Sequence, residues 1–560
     1  MSPHSLRTNP WAVLAVLCLG LFMALLDTTI VNIAIPAIGA GLDASLDEIV
    51  WIVNAYVLVY AALLITAGRL GDIAGSKRLF LAGMVLFTLA SALCGLARDP
   101  VQLIAARSLQ GVGGALMSPQ PMAIITRLFP PERRGAAFAI PGILGGLAVA
   151  TGPILGGALV DTFGWPAIFL VNVPVGAISL ALVTLVVPDL RPGQRHRLDL
   201  FGVLLATAGL LALTFGLIEG ERYRWGTIVS VIAIPHVIEL GVLLLALFLL
   251  VQYRRQDGEP LLPFELFRHR NYALTTGIAA AMGFAMLGLF LPFTIYLQSV
   301  LGLDAFDAGL TVLPQAVVMT AVAGPAGSLA DRLGGKHILL AGLTLFASGM
   351  AYLDMMARAS TARWDLLPAL LLMGAGLGCV WAPLFSIAMR QIEPRVAGTA
   401  AGVIETIQEI GGVIAGAVVG ALLQHRLATA LREQALRRSG ELPGELREQF
   451  LDAVAGAASG GLHVEAGLSA PGVPFPAEIQ QLAVEVFRHS FVDAMHLALL
   501  LPIVVVLLAA GSCLAIRQEK PLVEPEPVTA APSTGSGQDA RAGVPSSGGP
   551  ARPERTGGER

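Results

Sequence analysis

Residues 11–36 read WAVLAVLCLGLFMALLDTTIVNIAIP, a run whose only charged residue is Asp27. A helix crossing the hydrocarbon core needs about 20 mainly apolar residues, so this run is a membrane span. It is too long for the apolar core of a cleavable signal, about 7–15 residues. The exception inside it is informative. A carboxylate in a bilayer helix costs about 2.5–3.5 kcal/mol even on the lenient insertion scale, so packing alone does not explain it. Arg107, Glu405 and Glu409 interrupt other strongly apolar runs in the same way. Four ionisable groups within spans read as a pathway for protons or charged solutes.

The rest of the chain agrees with that opening. Its 560 residues are 55% hydrophobic and 13% charged, with mean hydropathy +0.73. A soluble protein of this size carries roughly a quarter charged residues. The net charge of -3 says nothing about partners, because apart from those four groups the charge lies mainly in loops. Nucleic-acid binding has no basic patch to stand on. Cys18, Cys94, Cys379 and Cys513 all lie in apolar runs, without metal spacing or a disulfide framework. No Gly-x-x-x-x-Gly-Lys phosphate cradle is present, which excludes a pump driven directly by ATP within this chain. No cofactor is expected; the energy source is a proton gradient.

The same ruler places spans near 11–36, 49–68, 79–97, 101–122, 137–160, 166–187, 199–218, 228–252, 272–297, 308–330, 337–357, 366–389, 398–424 and 493–516. Lys and Arg in the short loops set the orientation. With a cytoplasmic N-terminus, the inner loops hold Lys77, Arg78, Arg133, Arg134, Arg191, Arg195, Arg197, Arg254, Arg255, Arg268, Arg270, Arg332, Lys336, Arg390 and Arg395. The outer short loops hold only Arg98, Arg222, Arg224, Arg358 and Arg363. Segment 425–492 then lies outside the cytoplasm and reads as an amphipathic hairpin cap. Residues 519–560, rich in Pro, Gly and Ser, read as a disordered cytoplasmic tail. Both termini are expected in the cytoplasm of a multi-pass cell-membrane protein.

An internal repeat organises the spans. Gly68-Arg69-Leu70-Gly71-Asp72 with Lys77-Arg78 follows the second span, and Gly327-Ser328-Leu329-Ala330-Asp331-Arg332 follows the tenth. Each follows the second helix of a six-helix set. The fold expected is all-α and integral to the membrane: fourteen helices as two six-helix bundles, at 1–190 and 271–518, with a two-helix hairpin and linkers inserted at 191–270. Repeated halves are a transporter architecture with the site near the midplane between them. The fifth span adds Gly152-Pro153-Ile154-Leu155-Gly156-Gly157, where glycines permit close helix contact and Pro153 removes a backbone bond.

Three stretches resemble the named motifs of the major facilitator superfamily: Gly68–Arg78, Arg107-Ser108-Leu109-Gln110-Gly111-Val112-Gly113-Gly114, and the fifth-span Gly-Pro-x-x-Gly-Gly. The last is the one associated with antiporters. Leu26-Asp27-Thr28-Thr29-Ile30-Val31-Asn32-Ile33-Ala34-Ile35-Pro36 is similar to the first-helix motif of its fourteen-helix drug:proton antiporters, the EmrB/QacA-like group. Trp165-Pro166-Ala167-Ile168-Phe169-Leu170-Val171-Asn172-Val173-Pro174 is similar to that group's sixth helix, with Pro166 in place of the usual Arg. The resemblance covers about residues 11–516. It implies gating roles for Gly68, Asp72, Arg78, Gly152, Pro153, Gly156, Gly157 and Asp331.

Depth arithmetic joins two of the buried charges. Asp27 lies about 13 Å before Pro36, taken as the outer end, and Arg107 about 9 Å into its inward-running helix. At that similar depth, Arg107 can hold the Asp27 carboxylate in one state and release it in another, as a proton coupler needs; a static ion pair ordering the bundle is the plainer alternative. Glu405 and Glu409, spaced i and i+4, share one helix face, where two carboxylates cannot both hold charge cheaply. They are expected to take substrate charge or a second proton, unless Glu405 simply reaches inner water. Asn54, Tyr56, Gln315, Trp381 and Phe385 are further candidates for the cavity lining, against ordinary core packing. The reading is a proton-driven exporter of small amphipathic compounds, cationic or neutral. Its partners are the bilayer, these solutes, protons and, in a double-membrane bacterium, a periplasmic adaptor. The alternatives are a dedicated exporter of one metabolite, such as an antibiotic or siderophore, and a membrane enzyme or lipid-handling scaffold, for which no catalytic constellation is found.

Overall fold

The computed structural model describes residues 9–130, 133–189, 198–220, 222–223, 225–229, 232–256, 260–441, 447, 450–451 and 477–517. The first half comprises α1 (Pro10–Leu42), α2 (Leu46–Ala74), α3 (Ser76–Gly95), α4 (Pro100–Met117), α5 (Pro119–Leu128), α6 (Arg134–Phe163), α7 (Ala167–Leu170) and α8 (Asn172–Val186). The inserted hairpin is α9 (Leu200–Glu219) and α10 (Ile234–Arg254), joined through the short antiparallel pair β1 (Thr227–Val229) and β2 (Ile232–Ala233). After α11 (Glu265–Arg268) the second half comprises α12 (Arg270–Ile295), α13 (Ala305–Leu333), α14 (Gly335–Met356), α15 (Leu367–Gly378), α16 (Trp381–Met389), α17 (Ala397–Arg438) and α18 (Ala477–Cys513).

Twelve of these, with α7–α8 and α15–α16 each taken as one, are long and apolar enough to cross a membrane. The broken pair α4–α5, made less apolar by Arg107, Gln110 and Gln120, and α6 fall at the expected fourth and fifth spans. Local signals start the helices. Asn9 caps α1 ahead of Pro10, Ser45 and Glu48 form a capping box on α2, and Asp99, Asp199 and Asp304 cap α4, α9 and α13.

Packing sorts the helices into two sets. In the first half α1 packs on α6 and α8, and α4 on α2 and α3. In the second, α12 packs on α17 and α18, and α15 on α13 and α14. The halves meet where α2 lies against α17 and α6 against α13 and α16. The hairpin packs through α9 onto both α2 and α17.

Several boundaries differ from the sequence reading. Pro36 does not end the first span: α1 runs on to Leu42 and turns at Asp43, whose φ is 51°. Prolines are tolerated inside membrane helices because neighbouring groups re-satisfy the freed carbonyl. Asp27 therefore lies near the middle of α1, about 22 Å from its C-terminal end, rather than 13 Å from an outer end. The repeated Gly-x-Leu-x-Asp motif is also not a loop. Gly68 and Asp72 sit in the last turns of α2, and Asp331 in the last turn of α13; the turns themselves are Gly75 and Gly334, at φ 100° and 80°. Only glycine adopts that backbone without strain.

Segment 425–492 is not a separate loop at its two ends. Helix α17 continues to Arg438 and α18 begins at Ala477. At 42 residues α17 is about 63 Å long, twice the hydrocarbon thickness. Its extension buries Leu427, Leu431 and Ala435, and Arg438 pairs with Glu485 of α18 at 3.1 Å. The middle of that segment, the tail 519–560 and the Pro153 side chain lie outside the described residues.

Candidate functional site

A fully buried polar cluster lies inside the first half. Glycines bring α2 and α4 together: a methyl group at Gly111 would lie 2.6 Å from the Tyr56 carbonyl oxygen. Arg107 of α4 thereby reaches Asp27 of α1, with Nη1 at 2.6 Å from Oδ2, and the two side chains are 2% and 0% exposed. The carboxylate is further satisfied. Its Oδ1 accepts from Gln110 Nε2 at 2.8 Å and from Asn172 Nδ2 at 2.9 Å. Ser91 Oγ accepts from the same two amides at 2.7 and 3.3 Å. Arg107 also donates to the Ile52 carbonyl and to Gln110 Oε1, and its guanidinium lies 4.5 Å from the Tyr56 ring centroid. The expected Asp27–Arg107 pair is present. Of its partners, Gln110 and Asn172 stand in the sequence only as motif members with no role assigned, and Ser91, uncharged and cheap within an apolar run, gives no signal there.

A second site lies between the halves. A cavity of about 440 Å³ is lined from α1, α2, Ser118 at the α4–α5 break, α5 and α6 on one side and α12–α17 on the other. Its walls are mostly apolar and aromatic, with Phe138 and Phe385 at 6.0 Å, and Trp381, Phe290 and Phe293. Glu405 and Glu409 line it together, and they are its only charged side chains among the described residues. The Glu405 Oε2 atom is buried with no hydrogen-bond partner. A carboxylate with an unsatisfied oxygen in such a place draws a proton or a cation. Gln315, Trp381 and Phe385 line the cavity as expected; Asn54 and Tyr56 do not. Asp27 does not line it either, so the two acid sites are separate compartments.

Below the cavity, at the end carrying the basic short loops, the halves are clasped. The first N–H groups of a helix have no intrahelical acceptor, and neither α6 nor α17 has a side-chain cap of its own. Each receives one from the other half. Asp72 accepts from the Gly398 and Thr399 amides at 2.9 and 2.7 Å and from Thr399 Oγ1 at 2.8 Å. Asp331 accepts from the Gly135 and Ala136 amides at 2.8 and 3.0 Å. The repeat thus makes two reciprocal caps, each favoured by the positive end of a helix dipole. Glycines allow the approach: a methyl at Gly398 would lie 2.6 Å from the Gly68 carbonyl oxygen, and one at Gly135 equally close to that of Gly327. Arg127 and Arg134, seen in the sequence only as loop charge or not at all, reach the Pro394 and Met389 carbonyls across the seam. Arg78, expected in this gate, instead pairs with Asp189 at 3.4 Å on the exposed rim.

This clasp yields a test. Hydrogen bonds to a charged group contribute about 1.5–3 kcal/mol each, so Asp72→Ala should shift the protein toward opening at this end. Spin labels on the basic ends of α2 and α17 should report a longer distance in the variant; an unchanged distance would mean the caps do not hold the closed state.

The fifth-span motif divides in two. A Cβ at Gly152 would fall on the Thr29 hydroxyl, and one at Gly156 would lie 2.9 Å from Ile30 Cγ1, so these glycines seat α6 against α1. Gly157 faces open space, with nothing within 4 Å. Gly156→Leu is therefore expected to abolish transport with the protein still in the membrane, whereas Gly157→Leu retains it. Equal loss in both variants would assign the motif a role other than close packing.

Two clasped helical halves around a cavity charged, among the described residues, only by carboxylates define a membrane-embedded carrier of small molecules. The chain belongs to the Major Facilitator Superfamily, whose family model matches residues 17–416. It is 36% identical over 499 residues to an uncharacterized MFS-type transporter of Mycobacterium tuberculosis, covering 89% of this chain and 79% of that one. It is 31% identical over 521 residues to the tetracenomycin C resistance and export protein of Streptomyces glaucescens, covering 92% and 93%. Among solved structures, the human organic anion transporter MFSD10 superposes with a TM-score of 0.56 at 14% identity, covering 89% of this chain and 99% of that one, which shows the shared fold.

Proposed function

We propose that this protein is a proton-coupled antiporter of the cell membrane that exports small amphipathic compounds, cationic or neutral, by alternating access. The observation that carries this reading is the pair of separate acid sites, Asp27 held by Arg107 inside one half and Glu405 with Glu409 facing the cavity. Asp27 takes the coupling proton with Arg107 as its modulator. Glu405 and Glu409 take substrate charge or a second proton, and Trp381, Phe385 and Gln315 receive the solute. The proton gradient is the energy source and we assign no cofactor and no catalytic reaction. Moving one charge across the membrane is worth about 2.3 kcal/mol per 100 mV, so the membrane potential adds to the drive.

The halves are assigned to residues 1–190 and 271–518, the hairpin to 191–270. The basic end, closed by the Asp72 and Asp331 caps, is placed in the cytoplasm with both termini, following the charge bias. A reporter fused within 425–492 is expected to read as external and one after Gln518 as cytoplasmic; both on one side would overturn the orientation. A dedicated exporter of one metabolite is the second reading, favoured by the likeness to the tetracenomycin C protein. Everted membrane vesicles test the first: adding a substrate to energised vesicles should release protons, seen as recovery of a quenched pH dye. A response to a single compound in a broad panel would favour the second.

A further inference from the structure

The two acid sites are not insulated from one another. Tyr56 of α2 is 3% exposed and carries the Arg107 guanidinium on its ring. Its ring stacks on that of Tyr60, one turn along the helix, with centroids 5.8 Å apart and planes within 12°. Tyr60 in turn donates its hydroxyl to Ser118 Oγ at 2.9 Å, and both residues line the cavity beside Glu405 and Glu409. The charged groups facing Tyr56 are Asp27, Arg107 and Glu409; those facing Tyr60 are Glu405 and Glu409. The helix around the stack leaves it no slack on one side: a methyl at Gly114 would lie 2.8 Å from the Tyr56 hydroxyl and 3.4 Å from the Tyr60 ring.

We propose that Tyr56 and Tyr60 are the coupling residues of this transporter, joining the sealed Asp27–Arg107 pair to the cavity. This rests on the antiport reading above. A solute entering the cavity meets Tyr60 directly, while Asp27 is out of its reach. Displacing Tyr60 moves its stacked neighbour, and with it the aromatic face that seats the Arg107 guanidinium. A seated solute thereby presses Arg107 onto the Asp27 carboxylate and expels its proton, and a proton arriving at Asp27 releases Arg107 and returns the stack against the solute. The link works in both directions, because the effect of a proton on solute binding equals the effect of the solute on proton binding. Both tyrosines are positioning residues: they transmit a displacement and carry no proton themselves.

The test uses the full-length protein in proteoliposomes with tetraphenylphosphonium as the probe. Tyr56→Leu, outside the cavity lining, is expected to lose accumulation against the gradient about tenfold or more, within the usual range of coupling, while keeping downhill flux, and Tyr60→Leu to lose accumulation at least as far. Tyr60→Phe, which retains the stack, should keep most of the accumulation. A second readout separates coupling from loss of structure. The pH dependence of probe binding in Tyr60→Leu should match that of Asp27→Asn, and the double variant should be no further altered, because both act through one element. Wild-type accumulation in the leucine variants, or additive effects in the double variant, would overturn the proposal. Absence of accumulation in the wild type, with downhill flux present, would instead overturn the antiport reading on which it rests.

Discussion

Asp27→Asn is expected to abolish uphill export of cationic and neutral compounds alike, with the protein still folded and still able to bind them. The substitution keeps the shape of the side chain and removes its titration. An amide can still accept from Gln110 or Asn172, which hold the carboxylate at 2.8 and 2.9 Å, so the cluster keeps part of its hydrogen bonding. The substitution also leaves Arg107 without a countercharge, but the guanidinium keeps the Ile52 carbonyl, Gln110 Oε1 and the Tyr56 face. Removing Arg107 instead, as Arg107→Leu, leaves the Asp27 carboxylate, 0% exposed, without its countercharge. Breaking one partner out of a buried pair costs about 3–5 kcal/mol, a large share of a protein's stability. Thermal unfolding in detergent should show that loss. Combining Arg107→Leu with Asp27→Asn should restore stability without restoring transport, since the stranded charge is gone but so is the proton. A single Arg107→Leu variant as stable as wild type would mean that the pair adds nothing to the fold.

The second large effect concerns the cavity. Glu405→Gln and Glu409→Gln are expected to weaken cationic substrates about 10–100-fold, roughly 1.4–2.8 kcal/mol, and neutral ones far less. A carboxylate in an apolar cavity attracts a cation strongly because little water screens it, whereas a neutral solute gains only contact. Here no other charged side chain lines the cavity among the described residues, so no second carboxylate elsewhere replaces the pair. Binding titrations with a matched cation and a neutral compound measure the difference. Equal weakening of both would assign the two glutamates to proton transport rather than to charge selection.

What the sequence made legible follows from the solvent it describes. Charge is so costly in hydrocarbon that Asp27, Arg107, Glu405 and Glu409 stand out in apolar runs without any structure. The repeat around Asp72 and Asp331 was likewise visible, and so was the two-half architecture it implies. What it does for the fold was not. A cap donated to a helix in the other half, more than three hundred residues away for Asp72, is a tertiary contact with no local pattern. Ser91 gives no signal because uncharged polar residues are common in spans, and the motifs that contain Gln110 and Asn172 do not say that these meet Asp27. Pro36 misled in the opposite direction, since a proline that would end a soluble helix is accommodated inside α1. The Tyr56–Tyr60 stack is regular i, i+4 geometry on one helix face; only the packing of α4 against it shows which charges it touches.

Export through this chain is proposed to draw on a proton gradient, which uptake into proteoliposomes tests. Purified protein in proteoliposomes, given an imposed pH gradient and a labelled amphipathic cation, should accumulate the compound against its own gradient. Accumulation should collapse when a protonophore is added and should be absent for Asp27→Asn. Accumulation that persists after the proton gradient is dissipated, or that is undiminished in Asp27→Asn, would contradict the account.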